Sequence, residues 1–267
     1  MKAVFELARF AARKQRTATA TLTLLLALLA ATMVAFFPSV EASGVDFEQY
    51  IQSLPPAFRE AFGVATLTSI EGFLASEFYQ FAFVLLFGLY VAYLGGRLVA
   101  ADVETGRIDL LLATPVSRRR VVVERYLSLV PSLLVTNVVV PAVVVVGVEL
   151  VGESIALERV VAVHLLSIPY LLCCGAIGLV LSVLTSRTDV AQRSALGLVF
   201  ALFMLETVGA ASGTEALGYL SPTYYYDPTA VLVRGTYDFV GAVVLSLATA
   251  ALVGVAVWWF SRTDIEG

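Results

Sequence analysis

Apolar residues along this chain gather into six long runs, separated by segments rich in charge, proline or glycine. The runs cover residues 18–37, 78–99, 127–148, 160–184, 194–211 and 239–260, and each is apolar around most of a helical circumference. A helix crosses the hydrocarbon core of a bilayer with about 20 such residues. The pattern therefore predicts an all-α, polytopic membrane protein with six transmembrane helices. The fifth run is the shortest and carries Glu206. No internal repeat or low-complexity linker divides the chain, so residues 1–267 are read as one domain.

The segments between the runs differ in character. Residues 1–16 form an amphipathic pattern, with Lys2, Glu6, Arg9, Arg13 and Arg16 on one face of a helical wheel and Val4, Leu7, Ala8 and Ala11 on the other. Such a helix lies along a membrane surface; here it either anchors the first span or also touches a partner. The long polar region and the absence of a small-residue cleavage site argue against a cleavable signal peptide. Residues 38–77 are expected to form a loop with two short helices, the first opened by Asp46 and Gln49 and broken by Pro55 and Pro56. Residues 100–126 and 212–238 form two further loops.

Basic residues orient the bundle, because they are retained on the cytosolic side. Lys2, Arg9, Arg13, Lys14, Arg16, Arg97, Arg107, Arg118, Arg119, Arg120, Arg125, Arg187, Arg193 and Arg262 fall on one side, and only Arg59, Arg159 and Arg234 on the other. Both termini and the 100–126 loop are thus expected inside the cell, in its plasma membrane. Composition agrees: a mean hydropathy of +0.89, with 59% hydrophobic and 14% charged residues, lies outside the range of soluble domains.

The 100–126 loop is unusual because it is built to be structured. Asp102 or Thr105 is expected to cap a short helix, Asp109 suits its positive N-terminal end, and Leu110, Leu111 and Leu112 give it an apolar side. Pro115 stops it and Ser117 caps the next helix, which opens with three arginines. Exposed leucines beside charges imply a protein partner.

The stretch from Asp102 to Arg118 resembles the coupling loop of type-2 ATP-binding-cassette (ABC) permeases, the membrane halves of ABC exporters. The matching residues are Asp102, Glu104, Gly106, Asp109, Leu111, Leu112, Thr114, Pro115, Ser117 and Arg118. Arg107 stands where the family usually has a small hydroxyl residue, and Asp109 where Glu is commoner. The segment from Ser221 to Pro228 is similar to the family's last outer loop, and Phe260 to Ile265 to its closing aromatic–Arg–Asp signature. The resemblance implies a permease subunit that couples ATP hydrolysis on a separate ATPase, expected in two copies, to substrate export. It also implies a second permease subunit, identical or related.

The chain carries no lysine beyond Lys14, so it has no G-x-x-x-x-G-K-[ST] phosphate loop. ATP and magnesium are accordingly expected on the partner, and no cofactor, metal or nucleic acid on this chain. His164 is the only histidine, which excludes a multi-histidine metal site. Adjacent Cys173 and Cys174 point about 100° apart on a helix and make poor joint ligands; they read as small buried residues. Polar residues at membrane depth are costly and become pathway candidates by default. Glu206 falls towards the outer half, where it either lines a cavity or is solvated near the interface. His164 is expected near the outer end of span four, without a special role. Asn137, between Pro131 and Pro141, is expected to bond a neighbouring helix. Tyr219, Tyr224, Tyr225, Tyr226 and Tyr237 belong at the bilayer interface, and Asp227-Pro228 predicts a short helix after them. By the resemblance, Tyr225 and Asp227 help close an outer gate. Two other classes stay open: a membrane scaffold that binds an ATPase without moving cargo, and an intramembrane serine hydrolase using Ser212 and His164.

Overall fold

A computed structural model describes residues 8, 10, 13, 15–43, 49, 52–53, 67–113, 116–212 and 214–262. Among them there are helices and turns and no strand, and six helical stretches are long and apolar enough to cross a membrane. In chain order the elements are α1 (Arg16–Glu41), α2 (Ile70–Leu74), a π-helical segment (Ala75–Phe87), α3 (Gly88–Gly96), α4 (Ala100–Glu104), α5 (Arg107–Leu112), α6 (Arg118–Leu127), α7 (Val130–Leu150), α8 (Leu157–Leu184), α9 (Thr188–Ser212), two 3-10 turns (Glu215–Leu220 and Pro222–Tyr225), α10 (Pro228–Leu232) and α11 (Phe239–Arg262). The all-helical, six-span reading holds. The segments between the spans hold more helix than expected.

The first span continues through Pro38 to Glu41, and the second already begins at Ile70. The 38–77 loop is therefore shorter at both ends. Pro38 lies in the last turn, with three residues between it and the C-cap, Ala42, whose amide donates to the Pro38 carbonyl at 3.0 Å. The short helices expected around Asp46 and Pro55 lie outside the described residues, apart from helical positions 49, 52 and 53. The amphipathic reading of residues 1–16 likewise falls mostly outside them. The third span starts before residue 127, since α6 runs almost directly into α7. Pro131 then sits in the first turn of α7, where its missing N–H costs nothing, and Pro141 lies inside the helix.

α8 is the hub, packed against α3, α7, α9 and α11. Its crossing with α3 depends on small residues, as bilayer-embedded helices do when backbones must approach closely. A Cβ on Gly178 would collide with the Ala92 carbonyl and lie 2.8 Å from the Gly96 nitrogen; one on Gly95 would strike the Gly175 carbonyl. α1 runs beside α7 and joins it through two hydroxyl pairs, Thr19–Ser132 at 2.7 Å and Thr23–Thr136 at 2.8 Å. The π-helical segment has wide turns, and Tyr170 of α8 donates to its Val84 carbonyl at 2.9 Å.

This arrangement gives the bundle two ends. The arginine-rich end carries α4, α5 and the start of α6. The opposite, tyrosine-bearing end carries the 3-10 turns and α10.

Candidate functional site

At the arginine-rich end the second span breaks after Gly96, and α4 begins at Ala100. The break is held by Ser182, buried near the end of α8, whose hydroxyl accepts from the amides of Val99 at 3.0 Å and Ala100 at 2.9 Å. Asp102 is only 4% exposed. Its carboxylate pairs with Arg125 of α6 at 2.5 Å and, more distantly, with Arg107 at 4.0 Å. Glu104 reaches the other way and accepts from the amide of Thr188, the first residue of α9, at 3.1 Å. Three different spans therefore grip α4.

Neither Asp102 nor Thr105 caps the next helix, contrary to expectation. Asp102 lies inside α4, and the Thr105 hydroxyl donates back to the Ala101 carbonyl at 2.6 Å. The residue before α5 is Gly106, at φ 67° and ψ 5°. That left-handed conformation suits glycine and turns the chain sharply without a side-chain cap. The corner sets the phase of α5. Ile108 is buried as its anchor, Asp109 and Leu110 face outward, and Leu111 is half-buried against the core. Leu110, one of the three leucines expected to give the helix its apolar side, is 72% exposed. Thr114, Pro115 and the side chain of Leu112 lie outside the described residues. Ser117 does cap α6, accepting from the Arg120 amide at 3.3 Å. Arg118 reaches the Phe260 carbonyl at the end of α11 at 3.5 Å.

Nothing in the local sequence pattern marks Glu124 as more than a surface residue. It is buried, holds Arg120 at 2.6 Å and accepts from the amide of Ala8 at 3.2 Å. Ala8 is thereby pinned to α6. An acidic residue four positions after Arg120 was the available signal, but that spacing is common on exposed helices.

The four pathway candidates lie in different surroundings. Asn137 Oδ1 accepts from Ser167 at 2.9 Å and meets His164 Nδ1 at 3.0 Å. Its amide nitrogen donates to the Leu133 carbonyl, so His164 donates from Nδ1, and Nε2 accepts from the Tyr79 hydroxyl at 3.1 Å. His164 is consequently buried between three spans, with the rings of Tyr79 and Phe83 around it. Both ring nitrogens are engaged, while the side chain of Ser212 lies outside the described residues. Glu206 is half-buried and accepts from Thr223 at 2.8 Å, tying α9 to the second 3-10 turn. Asp227 caps α10, as expected, and pairs with Arg234 at 2.6 Å. It lines a cavity with Tyr225. Cys173 and Cys174 are free and buried.

The profile of a family described as ABC-2 family transporter protein matches residues 9–265. The chain belongs to the ABC-2 transporter family. Comparison with curated individual proteins gives no match. Membership covers nearly the whole chain, including all six spans and the α4–α5 elbow. This ABC-2 protein is thus a multi-pass permease subunit of an ABC transporter, and an ATPase partner is implied by the family.

Proposed function

We propose that this ABC-2 permease exports a substrate across the plasma membrane, driven by a separate ATPase that grips the α4–α5 elbow from the cytosol. Both termini lie on that side in this reading. Two ATPase copies bind ATP and magnesium, and a second permease subunit completes the pathway. The observation that supports it is the contrast within the elbow: Leu110 and Asp109 project outward, while their base is tied to α6, α8 and α9 through Asp102, Ser182 and Glu104. A push on α5 reaches the spans through backbone and buried pairs, with little slack to absorb it.

Leu110, with Leu111, Leu112 and Pro115, fits an apolar groove on the ATPase, and Asp109 and Arg118 make polar contacts at its rim. Glu104, Gly106, Thr114 and Ser117 shape the knuckle. Asn137, Glu206, Tyr225 and Asp227 are assigned to the pathway or its outer gate.

Leu110→Asp combined with Asp109→Arg should abolish co-purification of the ATPase and ATP-dependent flux in vesicles, with helical content unchanged by circular dichroism. Flux at wild-type rate in that variant would remove the elbow from the mechanism. Retained ATPase binding without flux in the wild type would favour a scaffold.

A further inference from the structure

Tyr224, Tyr225 and Tyr226 precede Asp227, and Tyr237 with Asp238 precedes α11. The chain folds all six around one cavity of about 190 Å³, walled on its apolar side by Leu166 and Val231. Several of the rings are held in place. The Tyr225 hydroxyl donates to the Tyr219 carbonyl at 3.0 Å, and that of Tyr226 to the Val163 carbonyl at 2.8 Å. Tyr224 and Tyr225 stand edge to face, with centroids 5.2 Å apart and planes at 80°. The lining thus offers fixed π-electron surface, which attracts cations.

The two carboxylates are not equivalent. Asp227 uses one oxygen to cap α10 and the other to hold Arg234. Asp238 caps α11 with Oδ1, accepting from the Gly241 amide at 2.8 Å. Its Oδ2 receives no hydrogen bond from a described residue, and neither does the Tyr225 carbonyl oxygen. Both oxygens close on Gly241, where a Cβ would meet the Tyr225 oxygen at 2.7 Å and Asp238 Oδ2 closer still. A charged acceptor and a neutral one, side by side and bounded by aromatic rings, suit a ligand that is cationic, donates hydrogen bonds and has a short apolar body. At about 30 Å³ per water-sized atom, the cavity holds about six heavy atoms.

We propose that this cavity binds a protonated aliphatic amine. Its ammonium group donates to Asp238 Oδ2 and the Tyr225 carbonyl, and its carbon chain lies against Tyr224 and Tyr237. Free amines and the ethanolamine headgroup of a phospholipid both present this group.

The test is calorimetric titration of the purified full-length chain in detergent with n-butylammonium and with its isomeric cation tetramethylammonium, which has no N–H donor. Butylammonium should saturate in the millimolar range, and tetramethylammonium should bind at least about tenfold more weakly. Asp238→Asn keeps an oxygen for the helix cap but, Asp238 being exposed, should weaken butylammonium by about two- to fivefold at an unchanged melting temperature. Tyr237→Leu should weaken it as well, and Tyr237→Phe should not. No saturable heat, equal affinity for the two isomers, or wild-type affinity in Asp238→Asn would each overturn the proposal. Repeating the titration in phosphatidylethanolamine and phosphatidylcholine nanodiscs separates the sources. Loss of free-amine binding only in the former identifies a lipid headgroup, equal titrations identify a free amine, and either upholds the site. No ATPase is present in the assay, so failure here leaves the coupling reading standing.

Discussion

Asp102 belongs to the stretch that resembles a coupling loop, yet its side chain faces inward, which separates a stapling role from a docking one. In Asp102→Asn the Arg125 guanidinium loses its 2.5 Å partner while its side chain stays only 16% exposed. Breaking a buried pair by removing one member costs roughly 3–5 kcal/mol. The lower figure applies because Arg125 keeps some contact with solvent; Arg107, at 4.0 Å and half exposed, recovers little. At about 2–4 °C per kcal/mol for a chain of this size, the melting temperature in detergent should fall by roughly 6–12 °C. Replacing the pair together, as Asp102→Leu with Arg125→Met, removes both charges and should recover at least half of that loss. The assay is thermal unfolding of the wild type, Asp102→Asn, Asp102→Leu, Arg125→Met and the double variant, followed by circular dichroism. If Asp102→Asn melted with the wild type, or if the double variant lost the sum of its parts, Asp102 would not staple the elbow to α6.

Gly178→Val should separate α3 from α8, because the new side chain meets backbone that cannot rotate away; overpacking costs about 1–3 kcal/mol, read as a lower melting temperature. Ser182→Ala leaves the amides of Val99 and Ala100 without their acceptor and should cost about 1–3 kcal/mol. It should also raise hydrogen exchange at those two amides specifically. Asn137→Leu strands His164 Nδ1 and should lower stability by about 1–3 kcal/mol, with a displaced His164 imidazole resonance in nuclear magnetic resonance spectra.

The spans were legible because lipid imposes one rule on every residue of a long run, and runs of apolar residues record it directly. The Asp227–Pro228 cap and the Ser117 cap were legible for a similar reason, since each is a local contact between residues three apart. What the sequence left hidden depends on contacts far along the chain. Ser182 looks like an ordinary small residue until α3 breaks opposite it, and Glu124 like a surface partner of Arg120 until Ala8 arrives. The phase of α5 hinged on Gly106. The left-handed corner there leaves Leu110 facing out and Leu111 half-buried against the core. The surroundings of His164 are hidden because its partners Tyr79 and Asn137 lie on the second and third spans.

The paired hydroxyls between α1 and α7 bear on how these helices can shift. Thr19 and Thr23 are four residues apart, as are Ser132 and Thr136, and the two helices run in the same direction. Sliding one past the other by a turn, about 5.4 Å, brings Thr23 opposite Ser132 and keeps one bond of the two. Hydroxyls accept either donor order, so the lost pair itself accounts for only about 0.6 kcal/mol, and the larger cost of that step is moving Val34 away from Gly147. Intermediate offsets satisfy neither pair. The first and third spans are thus keyed at two points one helical turn apart, which holds them in this register against small offsets.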